Sequence, residues 1–201
     1  MKQWVLATNN AGKIREINEL LRDIAVTTLP QQHFNLGEVA ETGKTFVENA
    51  LLKARYAAAA TGLPALADDS GLVVTGLQGR PGIYSARYAG EQATQADNTA
   101  KLLDEMKALQ ETERDAYFYC VIVLLRNADD PAPVICHGQW SGRILREPVG
   151  TQGFGYDPVF YVEQYHCSAA ELSVAVKNEI SHRGQALKQL KSTLQWQQTI
   201  Y

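Results

Sequence analysis

Residues Gln3 to Thr8 form a nearly unbroken apolar run, and the polar turn Thr8-Asn9-Asn10-Ala11-Gly12-Lys13 follows at once. Ile14, Ile17, Leu21 and Ile24 then recur at spacings of three, four and three, which places them on one stripe of a helix. A strand without polar alternation is covered on both faces, as happens where helices pack on a central sheet. Strand, polar turn and amphipathic helix make the opening half of a β-α-β unit. That sequence of elements commits the chain to an α/β fold.

The rest of the chain continues the pattern. Thr45 with Glu48 three residues on is a capping box, and Val47, Ala50, Leu51, Ala54, Ala57 and Ala58 mark the buried face of the helix it starts. Gly62 and Pro64 stop that helix, and Asn49 and Lys53, four apart, share one side of it. Ala65 to Ala67 reads as a short strand ending at Asp68-Asp69-Ser70-Gly71, with Leu72 to Thr75 resuming it. Residues Gly76 to Gly90 read as a loop and Gln95 to Leu109 as a helix. Tyr117 to Leu125 is the most apolar strand, Pro133 to Leu145 its partner, and Ala128 to Pro131 the turn between them. Gly150 to Pro158 is a glycine-rich loop, and a last helix starts near Ser181, with Leu187, Leu190 and Leu194 in helical spacing. At 201 residues, with no repeat or linker, the chain reads as one compact domain over residues 1–201.

Charge narrows the partners. Lys plus Arg is 19 and Asp plus Glu is 22, a formal charge of −3, whereas a general nucleic-acid binder needs a basic surplus. Any anionic ligand must be held by local geometry. No run reaches the ~18 apolar residues of a membrane span, and the first apolar run meets Asn9 too soon for a signal peptide. Cys120, Cys136 and Cys167 form no C-x-x-C pair, which suits free thiols in the cytoplasm, and no H-E-x-x-H points to zinc.

Four stretches carry residues suited to chemistry, each with a plainer reading beside it. Thr8 to Lys13 precedes a helix, where backbone N–H groups and a lysine attract phosphate, although it is not a Walker A loop and also reads as an ordinary cap. Asp68-Asp69 places two carboxylates side by side, which repel unless a cation or donors neutralise them. Mg2+ would do so and one carboxylate could then take a proton from water, but Asp-Asp-Ser-Gly also makes a good solvated turn. Glu41 is a further candidate metal ligand or a surface acid. In Gly150 to Pro158, glycines admit a flat ligand and Phe154 or Tyr156 offers a ring to stack on it, or the aromatics belong to the core. Lys177 to Gly184 supplies Lys177, Ser181, His182 and Arg183 as donors at a helix start, or only a capped basic turn.

Taken in order, Thr8-x-Asn10-x-x-Lys13, Glu41-Thr42-Gly43, Asn49-x-x-x-Lys53-Ala54, Ala67-Asp68-Asp69-Ser70-Gly71-Leu72, Pro81-Gly82-x-Tyr84-Ser85-Ala86-Arg87, Gly153-Phe154-Gly155-Tyr156-Asp157-Pro158 and Ser181-His182-Arg183-Gly184 closely resemble the inosine triphosphate pyrophosphatase family in its bacterial dITP/XTP form. The resemblance runs from about residue 4 to 190. It implies an elongated two-lobed α/β fold with a mixed central sheet flanked by helices, an active-site cleft between the lobes, and a homodimer. It implies Mg2+-dependent hydrolysis of ITP, dITP and XTP to the monophosphate and pyrophosphate, which cleanses the nucleotide pool. By the same resemblance Thr8, Asn9, Asn10, Ala11, Gly12, Lys13 and Lys53 would bind the triphosphate. Asp69 would be the general base and share the metal with Glu41, and Ser70 would touch substrate. Phe154, Gly155, Tyr156, Asp157, Lys177, His182 and Arg183 would form the nucleoside pocket. Val174-Ala175-Val176 departs from the family's more acidic stretch, which could alter the electrostatics around Lys177. Two rival readings are a hydrolase of modified pyrimidine nucleotides and a non-catalytic nucleotide sensor. A water-activating carboxylate at Asp69 argues against the sensor.

Overall fold

The computed structural model describes residues 2–200, with the side chains of residues 20 and 196–200 outside the description. Seven strands form one mixed sheet: β1 (Lys2–Leu6), β2 (Val26–Pro30), β3 (Ala65–Val74), β4 (Asp115–Leu125), β5 (Val134–Ile144), β6 (Phe160–Val162) and β7 (Cys167–Ser168). Their order is β2-β1-β3-β4-β5-β6-β7. β1 runs parallel to β2 and to β3, with Leu6 opposite both Pro30 and Leu66, while β6 is antiparallel to β5 and to β7. The helices are α1 (Ala11–Leu20), α2 (Phe46–Thr61), α3 (Gln95–Glu105), α4 (Val174–Ile180) and α5 (His182–Ile200). Among the described residues no helix is long and apolar enough to cross a membrane.

Local sequence explains most of these elements. The Thr45 side chain caps α2 by accepting from the Glu48 amide, and Gly62 closes it in the left-handed region at φ 68°. β4 is buried along nearly its whole length, as an apolar run without alternation requires. β5 alternates instead: Cys136, Gly138 and Trp140 point inward and Ile135, His137 and Gln139 outward, so one face meets solvent.

Packing divides the chain into two compact units. Unit 1 comprises residues 1–69, 120–138 and 183–201, and unit 2 comprises residues 70–119 and 139–182. Unit 1 has a core of Trp4, Leu6, Ile17, Leu21, Leu66, Ile122, Leu187 and Leu190. The core of unit 2 is built on Leu72, Leu102, Met106, Phe118, Trp140 and Phe160, whose rings pack at centroid distances of 4.6–6.2 Å.

Several expectations are corrected. The Asp68-Asp69-Ser70-Gly71 stretch is not a turn: β3 continues through it, because its flanks Ala65-Leu66-Ala67 and Leu72-Val73-Val74 belong to one strand. α1 ends at Leu20, and Ile24 packs on the same core from beyond the helix. α3 ends at Glu105 rather than Leu109. The loop expected from Gly76 to Gly90 contains two tight helical turns, Thr75–Leu77 and Gly82–Arg87. β2, β6, β7 and α4 were not foreseen. β2 is half-buried throughout, and β6 and β7 span three and two residues, too short to show a period.

One buried charge in unit 2 left no trace in sequence. Arg114 is 2 % exposed and donates to three carbonyls: Ile144 (2.8 Å), Met106 (3.0 Å) and Leu145 (2.7 Å). It thereby ties the end of α3 to the end of β5. Arg114→Met is expected to lower the unfolding free energy by about 3 kcal/mol, since stripping the donor from a buried carbonyl costs ~1–3 kcal/mol each. Urea denaturation measures it, and a loss below ~1 kcal/mol would mean that water replaces the guanidinium.

Candidate active site

At the start of α1, Asn10 caps the helix, its side-chain oxygen accepting from the amides of Gly12 (2.9 Å) and Lys13 (3.1 Å). Thr8 Oγ1 accepts in turn from the Asn10 amide at 3.2 Å, and Asn9 Nδ2 donates to Glu38. The turn is thus braced by its own side chains, and it presents Lys13 at the positive end of the helix. The Lys13 ammonium lies 2.9 Å from Asp68 on β3.

Asp68 and Asp69 point to opposite faces of β3, as neighbours on a strand must, and meet different partners. Asp68 has no exposed side-chain surface and pairs with Lys13 and, at 3.2 Å, with Arg183 from the start of α5. Arg183 is also paired with Glu16 of α1. Burial by itself would raise the Asp68 pKa. Lys13, Arg183 and Lys53 outweigh it and hold the carboxyl well below the usual range.

Asp69 faces α2. Lys53 Nζ donates to Asp69 Oδ1 at 3.0 Å and to Glu41 Oε1 at 2.9 Å, and Asn49 Nδ2 donates to Asp69 Oδ2 at 3.3 Å. Here burial, reinforced by Glu41, outweighs Lys53 and Lys13, and the Asp69 pKa is raised. The Lys53 pKa is raised as well: burial opposes its charge, but Asp69, Asp68 and Glu41 together favour it. The pKa values of two adjacent carboxylic acids are thus driven in opposite directions by their surroundings, Asp68 down and Asp69 up.

Glu41 reaches this group through the glycine that follows it. The Gly43 amide donates to Asn49 Oδ1 at 2.9 Å, and a Cβ on Gly43 would sit 2.6 Å from that oxygen. Only glycine lets the Glu41-Thr42-Gly43 segment lie this close to α2. Glu41 Oε1 and Asp69 Oδ1 converge on one ammonium and are hard oxygen donors. Among the described residues no three His, Cys, Asp or Glu side chains converge. Two carboxylate oxygens at one place are a donor set that fits Mg2+, which takes one or two carboxylates and completes its shell with water and phosphate oxygens. All these residues belong to unit 1.

Unit 2 holds the second group. Asp157 is buried, and its Oδ2 accepts from the Phe154 amide (2.7 Å) and from Lys177 Nζ (2.6 Å). The same ammonium lies 4.7 Å from the centre of the Phe154 ring, within cation–π range. Gly153 is in the left-handed region at φ 79°, and a Cβ there would overlap the Asp157 carboxylate. Gly155 donates its amide to Gln95 Oε1 at 2.8 Å. His182 stacks on Phe118 at 4.8 Å with 12° between the rings. Ser70 is half-buried on β3.

Two sequence readings change here. Tyr156 is not available for stacking: it is 5 % exposed within the unit 2 core, and its hydroxyl donates to the Ser85 carbonyl at 2.8 Å. Phe154 is half-buried. Lys177 lies inside α4, whose N-cap is Ser173, rather than at a helix start. It turns inward to Asp157, while Val174 faces solvent and Val176 packs on the core, so the Val174-Ala175-Val176 departure leaves Lys177 its carboxylate. Glu16 was not singled out in sequence, and a lone acid on a helix carried no signal of its pairing with Arg183.

Asp68→Asn is expected to destabilise the protein by about 3 kcal/mol, because it leaves a buried guanidinium and ammonium short of a carboxylate. Chemical denaturation with an unchanged m-value checks this. A loss under ~1 kcal/mol would show that both cations reach water instead.

Known proteins resemble this chain along nearly its whole length. Residues 4–193 match the Ham1 family. A Vibrio parahaemolyticus protein named dITP/XTP pyrophosphatase is 57 % identical over 194 residues, covering 96 % of this chain and 97 % of its own. The structure of a HAM1 protein from Coxiella burnetii superposes with a TM-score of 0.91 at 53 % identity, covering 97 % of this chain and 99 % of that one. A Staphylococcus aureus Ham1 protein gives 0.86 at 41 % identity, over 98 % and 100 % of the two chains.

Proposed function

The chain belongs to the Ham1 family and is a nucleoside triphosphate pyrophosphatase, and we propose that its substrates are the non-standard purine nucleotides ITP, dITP and XTP, cleaved to the monophosphate and pyrophosphate with Mg2+. The observation that carries the chemistry is the different pairing of two adjacent carboxylates: Asp68 is committed to Lys13 and Arg183, while Asp69 accepts from Asn49 and shares the Lys53 ammonium with Glu41. Burial raises the Asp69 pKa, which suits a carboxylate that is to accept a proton from attacking water. Its ionised neighbour keeps Lys13 and Arg183 in place.

Glu41 and Asp69 would hold the Mg2+, which supplies charge stabilisation to the phosphoanhydride as it breaks. Thr8 to Lys13 and Lys53 are assigned to the phosphates: the amino end of α1 favours anions, and the two ammonium groups are already gathered at the carboxylates. Ser70 is assigned to substrate contact. Phe154, Gly155, Asp157, Lys177 and His182 are assigned to the nucleoside, with Tyr156 supporting them from the core. Arg183, anchored by Glu16 and Asp68, is assigned to the base: a guanidinium only donates, so it can donate to a 6-carbonyl and leaves the 6-amino group of adenine unmatched. We further assign the enzyme to the cytoplasm, acting as a homodimer on free nucleotides to keep these bases out of DNA and RNA. Three free cysteines and a net charge of −3 support that setting.

A panel of nucleotides assayed with and without Mg2+ for pyrophosphate against orthophosphate tests the reading. ITP, dITP and XTP should release pyrophosphate only with the metal. Asp69→Asn should cut kcat by at least ~10²-fold while nucleotide affinity stays within a few-fold, since the amide cannot take the proton. Retention of more than about a tenth of wild-type kcat would remove Asp69 from the role of base.

Arg183→Ala should lower the ratio of kcat/KM for ITP over ATP by about tenfold, the worth of one charged hydrogen bond. An equal loss for both nucleotides would instead assign Arg183 to Asp68 and the phosphates.

A further inference from the structure

The segment Pro81-Gly82-Ile83-Tyr84-Ser85-Ala86-Arg87 has no part in the chemistry above, yet one of its residues joins two elements that do. Ser85 is 8 % exposed, in the tight turn Gly82–Arg87. Its Oγ accepts from the Leu72 amide on β3 at 2.9 Å and donates to the Gly82 carbonyl at 2.6 Å. Its own carbonyl accepts from the Tyr156 hydroxyl at 2.8 Å. One residue thus connects β3, three positions beyond Asp69, to the loop that carries Phe154 and Asp157, wholly within unit 2.

We propose that Ser85 is a positioning residue for base recognition, holding Tyr156 and through it the Gly153–Asp157 loop at a fixed place against β3. This rests on the assignment of Phe154 and Asp157 to the nucleoside. The loop needs such a tie. Gly153 and Gly155 both have positive φ, so the backbone around Phe154 is made of residues with wide freedom. Besides the Lys177–Asp157 pair, two hydrogen bonds restrain it from outside: the Tyr156 hydroxyl on Ser85, and Gln95 Oε1 on the Gly155 amide at 2.8 Å. Burial keeps the Tyr156 hydroxyl protonated, so it remains a donor across the working pH range. Asn98 of α3 holds the Ser85 side of the tie, accepting from the Ala89 amide at 2.7 Å and donating to the Ala86 carbonyl at 3.0 Å. A ring that must stack on a base loses affinity when its backbone wanders, with no loss of any contact to phosphate.

The test compares wild type, Ser85→Ala and Tyr156→Phe, the second removing only the hydroxyl and serving if the first fails to fold. KM and kcat are measured for ITP, and inorganic tripolyphosphate, which has no base, is measured as a competitive inhibitor, all below the melting temperature of each variant. The expected result is an ITP KM raised about fivefold to tenfold with kcat within about twofold, and an unchanged inhibition constant for tripolyphosphate. A general loosening of the structure would move both ligands together. An ITP KM within about twofold of wild type, or a tripolyphosphate constant that rises in step with it, overturns the proposal. A wild-type protein that releases no pyrophosphate from ITP overturns the assigned substrate class and this proposal with it, whereas an active wild type with unaltered variants overturns this proposal alone.

Discussion

A carboxylate with no exposed surface has to be matched by cations, and the burial of Asp68 organises unit 1 around that need. Its partners come from opposite ends of the chain. Lys13 arrives on α1 and Arg183 on α5, 115 residues beyond Asp68. Lys13, committed to Asp68, also adds positive potential beside Asp69. Asp69 can then be tuned by burial, Glu41, Asn49 and Lys53. The contrast between the two acids therefore begins with Asp68.

Unit 2 repeats the device at smaller scale. Asp157 is buried, takes the Lys177 ammonium, and uses the same oxygen to pin the amide of Phe154. In both units a hidden aspartate gathers a cation and fixes a neighbouring functional group. Rigidity at these points suits the roles proposed for Asp69 and Phe154, because catalysis and base selection depend on positions held to fractions of an ångström before substrate arrives.

Close approach of backbone is the second recurring constraint. Gly43 brings the Glu41 segment against Asn49, and Gly153 leaves room for the Asp157 carboxylate. A methyl group at either place would displace a buried carboxylate or its hydrogen-bond partner. The glycines of the Glu41-Thr42-Gly43 and Gly153 to Asp157 stretches are thus explained by what their missing side chains make room for.

The sequence alone determined the alternation of strand and helix, the caps of α2, the apolar β4 with its partner β5, and the residues that could carry chemistry. Those features follow from periods and capping patterns a few residues long, which each segment expresses wherever it sits. Tertiary structure decided the rest. Asp-Asp-Ser-Gly is good turn chemistry locally, but β3 pairs with β1 at Ala65 and Leu66 and neighbours β4 on its other side, and the apolar flanks on both sides draw the stretch into a continuous strand. Tyr156 offers a ring to any ligand when read in its loop, and becomes core once Ser85 lies within reach of its hydroxyl. Which lysine meets which carboxylate, and so which of two neighbouring aspartates has its pKa raised and which lowered, depends on residues brought from distant parts of the chain. Burial and charge pairing are properties of the assembled neighbourhood, and no short window of sequence contains them.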